Sequence, residues 1–135
     1  MTIPDDIAPQ EDLGRGVFSS QEKKRAERSQ VSLQVFLEKE GEADISVDRL
    51  DYPTPQEVAA IGERAAFARG RTFYGWAVVT AEDAGTNQRQ VRATPLKDNP
   101  YHADIVLPDI AGEDREEQKR HAQELRDVSR WRSRS

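Results

Sequence analysis

Residues 54–80 read TPQEVAAIGERAAFARGRTFYGWAVVT, and this stretch decides the fold class. Thr54-Pro55-Gln56-Glu57 is a capping box with proline at the first helical position. The Thr54 hydroxyl suits the amide of Glu57, and the Glu57 carboxylate reaches back to the amide of Thr54. Val58, Ile61, Ala65 and Ala68 follow at helical spacing, and Gly70 sits where a left-handed C-cap belongs. The spacing predicts a helix over Pro55–Arg69. Thr72 to Thr80 is then the densest hydrophobic segment, rich in aromatic and β-branched residues, and reads as a strand. Apolar residues on both of its faces place it inside a sheet, and Gly75 suits a bulge or a close backbone approach.

Upstream, Val31, Leu33, Val35 and Leu37 alternate with Ser32, Gln34, Phe36 and Glu38, a period of two that predicts a strand. Ile45, Val47 and Leu50 predict another. Arg15 to Phe18 reads as a short edge strand. Ser19 or Ser20 can cap a polar helix over 21–28, although a long solvated turn fits that segment nearly as well. Downstream, Glu82 to Gln88 reads as a hairpin connection, Gln90 to Thr94 as the returning strand, and His102 to Leu107 as a last strand closed by Pro108. Asp109 to Asp114 reads as a polar linker. A terminal helix of roughly twenty residues follows, with Ala122, Leu125, Val128 and Trp131 recurring every three. The expectation is one α+β domain: a mainly antiparallel sheet of four or five strands packed on one central helix. Residues 1–14 form an acidic arm, 15–112 the domain and 113–135 a charged C-terminal helix, lying on an edge or projecting away.

A chain of 135 residues is one domain by length. With 36% hydrophobic and 33% charged residues, it has apolar material for one modest core. No apolar run is long enough to cross a membrane. The N-terminal MTIPDDIAPQED lacks the basic and apolar regions of a signal peptide. The absence of cysteine excludes disulfides, thiolate nucleophiles and cysteine metal sites, and makes the cytoplasm the default location. The net charge of −5 argues against general nucleic-acid affinity. The charge is uneven, however. Asp5, Asp6, Glu11 and Asp12 crowd the N-terminus, while Arg120, Arg126, Arg130, Arg132 and Arg134 crowd the C-terminus. Those arginines suit a solvated helix end first, and a phosphate or an acidic protein face second.

No Walker A loop, GxGxxG, GxSxG or HExxH is present. Of the two histidines, His121 falls in a charged helix and is expected to face solvent. His102 and Asp104 are two apart on a predicted strand and share a face. A carboxylate beside an imidazole fixes its tautomer, which suits a general base. Asp48 or Asp51 would extend that pair toward a hard-cation site. The plainer reading is that His102 and Asp104 order the turn before the strand. Asp48-Arg49-Leu50-Asp51-Tyr52-Pro53 precedes the capped helix, where an anion can bind, though a local ion pair is the plainer reading there too. Phe73, Tyr74 and Trp76 suit core packing better than base stacking, with Tyr74 or Trp76 a candidate interface anchor.

Ile45-Ser46-Val47-Asp48-Arg49 and Asn99-Pro100-Tyr101-His102-Ala103-Asp104-Ile105 together resemble a pattern in small uncharacterised bacterial proteins. There an SVDR-like segment is followed, beyond a helix and a strand pair, by NPxHAxI. The resemblance spans residues 31–108 and carries no mechanism with it. It implies that Asp48, Arg49, Asn99 and His102 share one surface.

The leading expectation is a non-enzymatic protein-interaction module, an accessory subunit of a bacterial multiprotein assembly. The resemblance alone suggests a defence or mobile-element setting. The expected binding residues are Asp48, Arg49, Asn99, Trp76, Arg126, Arg130 and Trp131, with no cofactor. A small metal-dependent hydrolase or nuclease using His102 and Asp104 is the alternative. A nucleic-acid binder acting through the C-terminal arginines is the third reading.

Overall fold

A computed structural model describes residues 3–134, without the side chains of residues 110 and 112. The capping box forms as its residues dictate. The Thr54 hydroxyl accepts from the amide of Glu57 (3.2 Å), and the Glu57 carboxylate accepts from the amide of Thr54 (3.0 Å). They start the helix Pro55–Ala68, here α2, and Gly70 leaves it at φ +63°. Val58, Ile61, Gly62 and Ala66 face inward.

The sheet has six strands: β1 (Asp12–Val17), β2 (Asp44–Arg49), β3 (Gly75–Thr80), β4 (Gln90–Ala93), β5 (His102–Val106) and β6 (Arg130–Ser133). Their order is β4-β5-β2-β1-β3-β6, and every neighbouring pair is antiparallel. The α+β class and the antiparallel sheet agree with the sequence reading, while the strand count exceeds it. β1 is interior rather than an edge strand, and it starts within the segment read as an acidic arm. β4 does not return along β3. The Thr80 hydroxyl accepts from the amide of Asp83 and starts a helical turn, α3 (Ala81–Ala84). Asn87 and Gln88 then take positive φ, and the chain crosses to pair with β5 at the far edge.

The pleat separates two cores. Leu13, Val17, Ile45, Val47, Ala77 and Ile105 belong to the larger one, with Ala122 and Leu125 of α5 (Arg115–Val128) packed among them. Phe36 and Ala26, the latter from α1 (Ser20–Arg28, capped by Ser19), fill its margin. On the opposite face Trp76 and Val78 lie with Leu50, Phe73 and the inner side of α2. A Cβ on Gly62 would come within 2.4 Å of the Phe73 ring, so the helix lies close over that ring.

Four further expectations are corrected. Residues 31–37 are not a strand: Leu33–Phe36 is a 3₁₀ turn, with the Ser32 hydroxyl accepting from Gln34 and Phe36 turned inward. Asp109 to Glu113 is a short helix, α4, rather than a linker. The terminal helix ends at Val128, and Arg130 to Ser133 form the edge strand β6. α5 is a core helix and neither projects away nor merely covers an edge, so α2 is not the one helix on which the sheet packs. Its inward stripe is Gln118, His121, Ala122 and Leu125. Two of these are polar and satisfied by distant partners: Gln118 donates to the carbonyls of Lys39 (3.2 Å) and Glu42 (2.7 Å). Among the described residues no helix is long and apolar enough to cross a membrane.

Candidate functional site

β1 stays paired with β3 along its length, but with β2 it pairs only at Leu13↔Arg49 and Gly14↔Asp48. Beyond that point the two strands part. Arg15 braces the gap: its Nε donates to the Val35 carbonyl (2.9 Å), one Nη to the Ser46 carbonyl (2.8 Å), and the other pairs with Glu38. A cleft of about 960 Å³ opens here, between the parted strands, α2, the 3₁₀ turn and the loop before β5.

Asp48 and His102 are direct cross-strand partners, and both line this cleft. One carboxylate oxygen of Asp48 accepts from the Asn99 side-chain amide at 2.7 Å. The other makes no hydrogen bond among the described residues. Burial raises the Asp48 pKa above the ordinary carboxylate range, and the Asn99 bond and the charges of His102 and Arg15 offset this only in part. Asn99 also accepts from the amide of Tyr101 (3.1 Å), whose hydroxyl donates to Glu57 (2.9 Å). The loop that carries Asn99 is thereby tied to the start of α2.

The His102 Nδ1 lies 3.1 Å from the Thr94 carbonyl oxygen and 2.8 Å from its hydroxyl. A carbonyl only accepts, so Nδ1 carries a proton, and in the neutral ring the lone pair is then on Nε2. Asp104 shares the sheet face of His102 but makes no hydrogen bond to it. The expected His102–Asp104 pair therefore has no hydrogen bond joining it, and Thr94 holds the ring's Nδ1 instead. Asp51 turns away and accepts from the amide of Asp12 (3.3 Å). Among the described residues no three His, Asp or Glu side chains are grouped to hold a metal.

Arg49 does not share the surface with Asp48, Asn99 and His102. As the next residue on a strand it points through the opposite face. It is 2% exposed and pairs with Glu11 through two bonds of 2.9 and 3.0 Å. It also donates to the carbonyls of Pro4 (2.6 Å) and Asp6 (3.4 Å) and stacks over Tyr52. The segment read as an arm is held to the domain by this guanidinium. Arg49 is thus spent on an ion pair and is not free for an outside anion.

The remaining candidates are mostly occupied within the chain. Trp76 is 2% exposed and meets Phe73 edge-on at 5.0 Å, so it is core rather than an interface anchor. Trp131 is half-buried against Gly75, where a Cβ would come within 2.8 Å of its ring. Arg126 donates to the Val31 carbonyl (2.8 Å), Arg130 pairs with Asp12 (2.5 Å) and Arg134 with Glu63 (2.7 Å).

Two groups escaped the sequence reading. Lys39, Arg64, Arg69 and Arg71 line the cleft, and among the described residues none pairs with a carboxylate. Arg64, Arg69 and Arg71 crowd the end of α2, which is the signal that was there to read. The other group is His121, expected in solvent and found 1% exposed. Its Nδ1 lies 2.8 Å from Arg89, whose guanidinium only donates, so Nδ1 accepts and Nε2 carries the proton. Burial first, then the charges of Arg89 and Arg120, push the His121 pKa down. Arg89 also binds Glu124 (2.7 Å) and the Ala84 carbonyl (2.8 Å), joining α5 to the end of α3. No family model, curated protein or solved structure matches this chain.

Proposed function

We propose that this chain is a non-enzymatic protein-interaction module that seats an acidic segment of a partner protein in the cleft between α2 and the parted strands. The carrying observation is the cleft mouth: Lys39, Arg64, Arg69 and Arg71 stand there without carboxylate partners, on a chain whose net charge is −5. A local cationic rim on an acidic protein steers and selects an anionic partner. The role is that of an accessory subunit in a cytoplasmic bacterial assembly. The resemblance in the segments around Asp48 and His102 alone supplies the defence or mobile-element setting.

The hydrolase reading has less support, because His102 is held by Thr94 and lacks a carboxylate partner. The nucleic-acid reading has less as well, since Arg126, Arg130 and Arg134, three of the four arginines it would use (the fourth is Arg132), are engaged within the chain. The test is fluorescence anisotropy with a labelled acidic peptide, on the parent protein and on Arg64→Gln/Arg71→Gln. The parent should bind, more weakly as salt rises, and the variant should lose about tenfold. Binding that ignores both salt and the variant would refute the reading.

A further inference from the structure

The cleft floor has acceptors and lacks a cation to meet them. One Asp48 oxygen has no hydrogen bond among the described residues, and the Nε2 lone pair of His102 has none either. Arg15 makes no hydrogen bond to Asp48; its Nε and both Nη bond Val35, Ser46 and Glu38 instead. Asp48 and His102 are directly opposite across an antiparallel pair, which puts their Cβ atoms about 4.5–5.5 Å apart. A planar guanidinium carries donors on adjacent edges in a fixed fork and can reach both at once, whereas an ammonium is a compact point charge without that fork.

We infer that Asp48 and His102 form a subsite for an arginine side chain of the docked segment, with the cationic rim taking the acidic residues on either side of it. This rests on the docking reading above and adds a specific anchor to it. The burial that raises the Asp48 pKa fits this role, because a guanidinium relieves a partly desolvated carboxylate that its present neighbours offset only in part. Asn99 sets the geometry: its bond to one Asp48 oxygen leaves the other for the ligand, and its loop is fastened to α2 through Tyr101 and Glu57.

The experiment compares fluorescein-labelled, end-blocked peptides DEDRDED, DEDKDED and DEDQDED on the full chain. The arginine peptide should bind about tenfold more tightly than the glutamine peptide, with the lysine peptide between them. Asp48→Asn keeps the acceptor for Asn99 and should erase that advantage, so that the arginine peptide no longer binds more tightly than the glutamine peptide. Equal affinity for the arginine and glutamine peptides, or a preference that survives Asp48→Asn, overturns the subsite while the rim reading stands. Equal affinity for arginine and lysine overturns the guanidinium assignment. If no peptide binds, the docking reading fails, and an amide-shift titration with methylguanidinium chloride decides the subsite. Shifts around Asp48 and His102 that vanish in Asp48→Asn sustain it, and their absence overturns it.

Discussion

Replacing Arg49 with Met should cost far more than the loss of a surface arginine. In the parent, the guanidinium bridges Glu11 twice and holds the carbonyls of Pro4 and Asp6. Met fills much of the same volume but offers no donor. Glu11 is only 3% exposed, and it would keep a single bond, from the amide of Ala8 at 2.8 Å. Breaking a buried pair from one side costs about 3–5 kcal/mol, because the stranded charge stays desolvated. Small domains hold about 5–15 kcal/mol in total. The variant should therefore lose about a fifth or more of its stability. The assay is urea unfolding followed by circular dichroism. Replacing both partners, Glu11→Leu with Arg49→Met, leaves no stranded charge and should lie within about 2 kcal/mol of the parent. A loss under about 1 kcal/mol for Arg49→Met, or a double variant as weak as the single one, would refute the reasoning.

Three further outcomes follow from other contacts. Asp48 has a raised pKa, so folding favours its protonated form, and the benefit of that form is lost as pH rises through the folded value. Asp48→Asn should then melt about 2–4 °C above the parent near neutral pH, with the gap closing below about pH 3.9, as thermal scans would show. His121 has a lowered pKa, so the stability it contributes is complete above the unfolded value near 6.5 and is lost as pH falls through the folded one. The parent should weaken between about pH 7.5 and 5.5 more than His121→Gln, whose side-chain oxygen still accepts from Arg89; equal slopes in chemical denaturation would count against this. Gly62→Ala drives a methyl into the Phe73 ring, which Trp76 holds in place, and should cost about 1–3 kcal/mol, partly recovered by adding Phe73→Leu.

What could be read in the sequence was local. The capping box, Pro55 and Gly70 act within a few residues of themselves, and α2 lies where they put it to within one residue. Ser19 caps α1 for the same reason. Several of the misreadings have distant causes. Val31 to Leu37 alternates like a strand, but Glu22 binds the amide and hydroxyl of Ser32, and Ser32 in turn starts the 3₁₀ turn. His121 looked solvated because its neighbours are charged; its partner, Arg89, lies 32 positions earlier. Asp48 and Arg49 were read as one polar cluster. On a strand they must face opposite ways, and the sequence did not say that the far face held Glu11. The cleft itself was illegible, because it exists only where β1 and β2 part.

The placement of β6 has a consequence for synthesis on the ribosome. β3 is buried at every position but its last, and its neighbours are β1, made early, and β6, made last. While residues 81 to 129 are being translated, β3 can acquire β1 on one side and nothing on the other. An open, strongly apolar strand edge is a template for mispairing. That edge is covered only once Arg130 to Ser133 have left the exit tunnel. The strand that covers it carries Arg130 and Arg132, so the edge left facing solvent afterwards is charged rather than apolar.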